Sequence, residues 1–326
     1  MKHNARITQT AKYLPDRVVT NDDLAEFMET SDEWIYSRTG IKQRYVVTTE
    51  NTSDLCGNVA LELLKKSNYS ATDLDFIIVA TMTPDYSTPS TACLVQAKIG
   101  ATNALCFDVS AACSGFVYAL ATAEKFIKSG TYQKGLVIGG EAMSKMLDWS
   151  DRRTAVLFGD GAAGVLLEAS DEPQYIGEYL QADGERGMSL TGGEMANDSQ
   201  FFTEEHQVQR FLTMDGRKIF DFSLRNVSKN ITDTVARHDL DLADIDFFLP
   251  HQANIKIIDA IAKRTKIPRD KFLSNIQYYG NTSAASVALL LHDSIENGTI
   301  ALGSRKKVVL TGFGGGLTWG SILLSL

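Results

Sequence analysis

Cysteine is scarce: the 326 residues hold four, Cys56, Cys93, Cys106 and Cys113, and no C-x-x-C pair. With no apolar signal core in Met1-Lys2-His3-Asn4-Ala5-Arg6, they read as reduced thiols of a cytoplasmic chain, not as a disulfide framework. No apolar run approaches the ~20 residues that a membrane span needs. Positive charge is in deficit, with 32 Lys and Arg against 40 Asp and Glu. The formal charge of −8 argues against indiscriminate binding to nucleic acid or an anionic membrane, and an acidic partner would need a local basic patch. Metal-ligand spacing is also missing: His3, His206, His238 and His292 sit in polar or helical settings, so no metal site is expected.

What is present is alternation. Apolar residues make up 44% of the chain, enough for substantial cores in one large domain or two ordinary ones. Phe76–Ala80, Ala104–Val109, Leu136–Gly140 and Ala163–Leu167 read as buried strands, separated by helical stretches near Leu55–Lys65, Ala92–Ile99 and Phe116–Ile127. Asn21-Asp22-Asp23 is expected to cap a short helix reaching Met28. Thr30 to Glu33 has the form of a capping box for another that ends at Gly40. The segment from Ala182 to Gln209 is rich in Gly, Glu, Asp and Ser and reads as a long surface excursion.

The pattern then repeats. Leu74-Asp75-Phe76-Ile77-Ile78 has a counterpart in Ile245-Asp246-Phe247-Phe248-Leu249, and Leu136–Gly140 has one in Val308–Gly312, at nearly equal offsets. In each case a turn and an apolar helix ending in Gly lie between, Cys113–Gly130 and Ser283–Gly298. This predicts two duplicated α/β halves, 1–172 and 173–326, with mixed sheets covered by helices.

Cys113 falls at a strand-to-helix turn, beside the free N–H groups of a buried helix. Partial positive charge there lowers a thiol pKa and suits a nucleophile, while a small buried hydrophobe is the alternative reading. Asn281 precedes the matching helix of the second half and occupies roughly the place of Cys113, although an N-cap is its commoner role. His251 follows Phe247-Phe248-Leu249-Pro250, at a strand end where α/β folds collect ligands, or it is simply satisfied by local backbone. If the halves pack about a pseudo-twofold, all three meet in one cleft. Gly314-Gly315-Gly316 would let a backbone N–H join that of Cys113 as an oxyanion hole for a thioester carbonyl, or it makes a tight turn at a strand edge. Gly159-Asp160-Gly161-Ala162-Ala163-Gly164 fits G-x-G-x-x-G literally, but it leads into a strand, so a dinucleotide site is rejected.

Six motifs in order then resemble the β-ketoacyl-acyl carrier protein synthase III family of thiolase-fold condensing enzymes. They are Ser31-Asp32-Glu33-Trp34 with Arg38-Thr39-Gly40-Ile41; Ala111 to Phe116; Phe158 to Ala162; His251-Gln252-Ala253-Asn254; Gly280-Asn281-Thr282-Ser283; and Gly312 to Gly320. The resemblance implies a thiolase-like fold, no cofactor beyond the substrates acyl-coenzyme A and malonyl-acyl carrier protein, and a cytoplasmic homodimer that starts type II fatty acid synthesis. It implies Cys113 as the acyl acceptor, His251 and Asn281 as donors to the malonyl carbonyl, and the amides of Cys113 and Gly315 as the oxyanion hole. Trp34, Arg38, Arg152 and Asn254 would hold coenzyme A, and Lys256, on a helix with Lys263 and Arg264, would dock acyl carrier protein. Thr88 stands where some relatives place a phenylalanine that floors the partner's acyl pocket. Asp221 stands where some relatives place a docking lysine. A plant-type polyketide synthase would carry proline in the glycine loop, a thiolase would carry a second cysteine near its C-terminus, and a papain-like hydrolase would carry Cys-Gly-x-Cys-Trp. None of these features is present.

Overall fold

The computed structural model describes residues 4–197, 199–202 and 208–326. Two sheets carry the chain. The first has five strands in the order β1 (Asn4–Tyr13), β7 (Gly161–Ser170), β6 (Lys134–Glu141), β4 (Phe76–Ala80) and β5 (Leu105–Val109). The second has four, β11 (Phe247–Pro250), β12 (Lys307–Gly314), β13 (Thr318–Ser325) and β8 (Tyr175–Ala182). Their pairings match: β4 with β6 and β11 with β12 are parallel, and β6–β7, β7–β1, β12–β13 and β13–β8 are antiparallel. Even β5 has a vestigial equivalent, a parallel bridge from Phe248 to Phe272. The duplication is therefore borne out in topology.

Helices α5 (Gly115–Lys128) and α10 (Ala285–Glu296) lie between the sheets and share one core with β4, β7, β12 and β13. Both are apolar almost all round because both sides are covered. Amphipathic α3 (Thr52–Ser67) and α4 (Thr91–Ile99) cover the outer face of the first sheet, and α7 (Ser228–Ala236) and α8 (Ile255–Thr265) that of the second. Two strand glycines permit the central packing, each against a helix of the other half. A Cβ on Gly312 would lie 2.7 Å from Ser114 Cα, and one on Gly139 would lie 2.5 Å from the Ala284 carbonyl oxygen. Neither approach leaves room for a side chain.

Several local expectations are corrected. Strand β5 is not buried in the interior: it is the sheet edge, and Leu105 is 41% exposed. Helix α1 (Asn21–Ala25) is capped by Thr20, which forms the capping box with Asp23, and stops short of Met28. In α2 (Asp32–Thr39) the cap is Ser31, accepting from Trp34 N–H, so Thr30 is displaced and no box forms; Gly40 ends the helix at φ +79° as expected. Strands β2 (Arg17–Thr20) and β3 (Gln43–Val46) pair beside these helices. The excursion after β8 is ordered at its base, where β9 (Leu190–Thr191) pairs with β10 (Thr213–Met214) before α6 (Gly216–Phe222). Asp198 and residues 203–207 of that stretch lie outside the described residues.

Candidate active site

Cys113 lies in a short 3-10 turn, Ala112–Ser114, that runs directly into α5. Ala112 takes φ +44°, and Ser283 takes φ +47° just ahead of α10. Matching these left-handed residues pairs Cys113 with Ala284, so Asn281 sits earlier in the second half than the expected counterpart position. It is held there by backbone: Asn281 N–H donates to Leu157 O at 2.8 Å and its carbonyl accepts from Gly159 N–H at 3.0 Å. Helix α9 (Ile276–Tyr279) leads into this turn.

The three residues do converge. Cys113, His251 and Asn281 line one cavity of about 160 Å³, with Met82, Met143, Leu212, Met214 and Phe313 among its apolar walls. Exposed Lys256 and half-buried Asn254 also line it, near the start of α8. Leu190, Leu212 and Met214 come from the excursion and its flanks, so that segment helps to enclose the cavity and is not merely surface.

Each polar group has one partner that sets its role. The His251 ring lies edge-on to Phe313, with centroids 5.1 Å apart, and its Nδ1 meets Ser286 Oγ at 2.6 Å. The Ser286 oxygen also accepts from Gln252 N–H at 3.5 Å, and with Nδ1 engaged by Ser286 the ring atom left for the cavity is Nε2. Burial pushes the His251 pKa down to about 3, so the imidazole is neutral. The Asn281 side-chain oxygen accepts from Ser283 N–H at 2.9 Å, leaving its NH₂ as the unused end. A neutral imidazole and a side-chain amide thus stand in a cavity with a thiol.

The thiol itself departs from expectation. Burial pushes Cys113 up to about 12, opposed by hydrogen bonds from Ser283 and from its own backbone amide. The helix start does not outweigh desolvation, and the resting group is the thiol.

The remaining expected positions are spread. Gly314, not Gly315, lines the cavity; Gly315 is buried and opens a turn against Ala112. The Trp34 ring carries the Arg38 guanidinium at 4.6 Å and that of Arg152 at 5.0 Å, a cluster that does not line the cavity. The Asn254 side chain caps α8 by accepting from Lys256 N–H at 2.8 Å. Thr88 and Asp221 are exposed, and Thr88 is not among the cavity walls of its own chain. On α8 the buried positions are Ile257, Ile258, Ile261 and Ala262, with Ile255 turned toward Gly40. Lys263 and Arg264 are exposed as expected.

Sequence reasoning passed over Ser286 and Glu141. Both carry the same signal, a lone polar side chain inside an apolar run. Glu141 ends β6 and is completely buried beside Ser283.

A duplicated mixed-sheet architecture whose two central helices start at one shared cavity is the thiolase fold of condensing enzymes. The family profiles 3-Oxoacyl-[acyl-carrier-protein (ACP)] synthase III and its C-terminal counterpart match residues 107–184 and 235–326. Beta-ketoacyl-[acyl-carrier-protein] synthase III of Enterococcus faecalis is 59% identical over 326 residues, covering all of both chains. The Streptococcus mutans protein of that name is 57% identical over 99% of each. The crystal structure of 3-oxoacyl-[acyl-carrier-protein] synthase III from Aquifex aeolicus superposes with a TM-score of 0.91 at 40% identity, covering 99% of this chain and 100% of that one. The chain belongs to the β-ketoacyl-[acyl-carrier-protein] synthase III family, and with it to the acyltransferases that initiate fatty acid synthesis. Among the described residues no helix is long and apolar enough to cross a membrane, and no cluster of His, Cys, Asp and Glu could hold a metal ion.

Proposed function

We propose that Cys113 accepts the acyl group of a short acyl-coenzyme A and that His251 and Asn281 then serve the malonyl-acyl carrier protein half-reaction. The carrying observation is the neutral imidazole beside the side-chain amide. With Oδ1 of Asn281 engaged by Ser283 N–H, its NH₂ remains, and on this reading Ser286 donates to Nδ1 so that His251 presents Nε2–H. Donors of this kind stabilise a thioester carbonyl as it gathers negative charge.

In the first half-reaction the Cys113 sulfur attacks the acyl thioester, the amides of Cys113 and Gly315 hold the oxyanion, and coenzyme A leaves. In the second, malonyl thioester loses CO₂ while His251 and Asn281 hold the enolate oxygen. The carbanion attacks the acyl-enzyme and expels Cys113, giving β-ketoacyl-acyl carrier protein. Covalent catalysis divides one hard step into two. A cavity of 160 Å³ resembles in size one that admits a benzene-sized guest, about six heavy atoms, which favours short primers.

Coenzyme A is held outside the cavity, its adenine between Trp34 and Arg152, its phosphates near Arg38 and its arm passing Asn254. Lys256 at the cavity mouth, backed by Lys263 and Arg264, meets the acidic carrier. The molecule is a cytoplasmic homodimer without a resident cofactor, its halves dividing at 172/173. The open edge of β5 supports the dimer, since an unpaired edge strand is normally covered or paired. Thr88, exposed in its own chain, then reaches the partner's acyl pocket.

The test is acyl trapping. Incubation with labelled acetyl-coenzyme A should label wild-type protein on Cys113, and Cys113→Ser should lose more than 99% of the label while keeping its circular dichroism. Adding malonyl-carrier protein should discharge the label as a longer β-keto product. Discharge to free acetate with water alone would make the protein a hydrolase and overturn the reading.

A further inference from the structure

The turns that carry His251 and Asn281 are tied together by one buried side chain. Gln252 follows His251 and is 1% exposed, yet it is not among the cavity walls, so it does not meet a substrate there. Its Nε2 donates to Pro250 O at 2.7 Å, across its own turn. Its Oε1 accepts from Ser274 Oγ at 2.8 Å and from Asn275 N–H at 3.1 Å. A carbonyl only accepts and a backbone N–H only donates, so the amide has one orientation. Asn275 stands immediately before α9 and gives it no side-chain cap; the four residues of α9 lead through Gly280 to Asn281.

Both ends of α9 are anchored further. Asn275 Nδ2 donates to Asp293 Oδ2 at 2.9 Å, and Lys12 Nζ donates to Asp293 Oδ1 at 2.6 Å and to the Tyr279 hydroxyl at 2.9 Å. Asp293 is on α10, the helix that also supplies Ser286 to His251 Nδ1, and Gln252 N–H reaches that serine oxygen at 3.5 Å. Gln252 is therefore bonded to the histidine's turn, to the histidine's partner and to the start of the helix that delivers the asparagine.

We propose that Gln252 is a positioning residue that sets the separation between His251 Nε2 and the Asn281 amide, so that both reach one oxygen of the malonyl thioester. The inference rests on the role given to those two groups above. Two donors stabilise one oxyanion only where their spacing matches it. A misplacement of about 1 Å, caused far from the chemistry, can cost about 100-fold in rate. Without the Gln252 amide the start of α9 is no longer bonded to the histidine turn. Cys113, at the head of α5, has no hydrogen bond to this network among the described residues, so acylation is spared.

The experiment compares wild type, Gln252→Met and Gln252→Glu, with circular dichroism to confirm folding. It follows the half-reactions separately, by acyl trapping from labelled acetyl-coenzyme A and by CO₂ release from malonyl-carrier protein. Gln252→Met nearly keeps the shape and removes all three side-chain bonds. It should slow CO₂ release at saturating malonyl-carrier protein by about 10-fold or more, with KM and acylation each within about 2-fold. In an Asn281→Ala background the same change should cost less than about 2-fold, because a separation has no meaning once one end is gone.

Gln252→Glu tests the bonding itself. As a neutral acid it reproduces the amide, one oxygen accepting from Ser274 and Asn275 and the hydroxyl donating to Pro250 O. As a carboxylate it faces that carbonyl without a proton. Its CO₂ release relative to wild type should therefore climb as pH falls from 8 to 6, while its relative acylation should not. The neighbours hold their charge over that range: burial keeps His251 down at about 3 and Tyr279 up at about 12, and Lys12 and Asp293 pair at 2.6 Å. Equal slowing of both half-reactions, a full loss in the Asn281→Ala background, or a Gln252→Glu enzyme as slow as Gln252→Met even at pH 6 overturns the proposal. If Gln252→Met does not fold, Gln252→Glu decides alone. Wild-type protein that takes no acyl group and releases no CO₂ overturns the reading of the site and this inference with it. Wild-type protein that does both, while Gln252→Met slows the two halves alike, overturns the inference alone.

Discussion

Ser286 Oγ and His251 Nδ1 are 2.6 Å apart, and both side chains are buried. The serine is on α10 and the histidine follows β11, so a helix of the core fixes the orientation of a ring at a strand end. Ser286→Ala removes the only side chain bonded to Nδ1 among the described residues. Decarboxylation of malonyl-carrier protein should fall about 10-fold, the scale of one lost hydrogen bond of ~1.4 kcal/mol. Cys113 acylation should change less than 2-fold, and Ser286→Thr should recover most of the loss. Stopped-flow CO₂ release and acyl trapping read the two separately.

The buried imidazoles make stability depend on pH. His251 is held down to about 3 and His292 to about 4, both by burial, against an unfolded value near 6.5. Between pH 6.5 and about 4 the unfolded chain therefore binds more protons, and stability is lost as pH falls through that window. Glu141, raised to about 7, works in the opposite sense, adding stability as pH falls from 7 toward 4.5. Asp108 and Asp160, raised by burial as well, act in the same sense as Glu141, so the histidine contribution is read by difference. In urea titrations from pH 6.5 to 4.5, the stability of His292→Asn relative to wild type should rise as pH falls, by up to about 1.4 kcal/mol per pH unit.

Gly312→Ala should be costly although it adds one methyl group. The new Cβ would press on backbone at Ser114, which cannot rotate away as a side chain would. A loss of ~1–3 kcal/mol and a Tm lower by several degrees are expected from calorimetry. Because Ser114 adjoins Cys113, acylation should slow as well.

Lys256→Glu should raise KM for malonyl-carrier protein about 10-fold at low salt and much less in 0.5 M NaCl, where the Debye length is a few ångströms. KM for acetyl-coenzyme A should stay within 2-fold. Lys256 is exposed at the cavity mouth, so the change should leave the fold intact. Equal defects for both substrates would mean that the residue supports the site and not the partner.

The fold was largely legible in sequence because its interior strands are continuous apolar runs and its central helices are apolar all round. The repeat between Phe76–Ala80 and Phe247–Pro250 exposed the duplication, and the turn at Ala112–Ser114 marked Cys113. What stayed hidden has physical causes. Adjacent Thr30 and Ser31 are both good caps, and only backbone geometry chooses Ser31. An apolar strand at a sheet edge, as β5 is, reads like an interior one. The field of a helix start predicts an acidic thiol, but desolvation, which depends on the whole surrounding fold, has the larger effect at Cys113. Ser286 and Glu141 show in sequence only as lone polar side chains in apolar runs, and their partners His251 and Ser283 are brought to them by the fold across long separations.

The reciprocal seats at Gly139 and Gly312 have a consequence for how the chain is made. Each half supplies the wall on which the other half's central helix rests, so residues 1–172 alone would leave one face of α5 without β12 and β13. On the ribosome the first half emerges with that apolar face uncovered and must wait for the last two strands before its core is sealed. Nascent chains truncated ahead of β12 should therefore recruit chaperones and remain sensitive to protease. The chain gains resistance only when its final twenty or so residues have been released, and a gene split between the halves should yield soluble protein only when both pieces are made together.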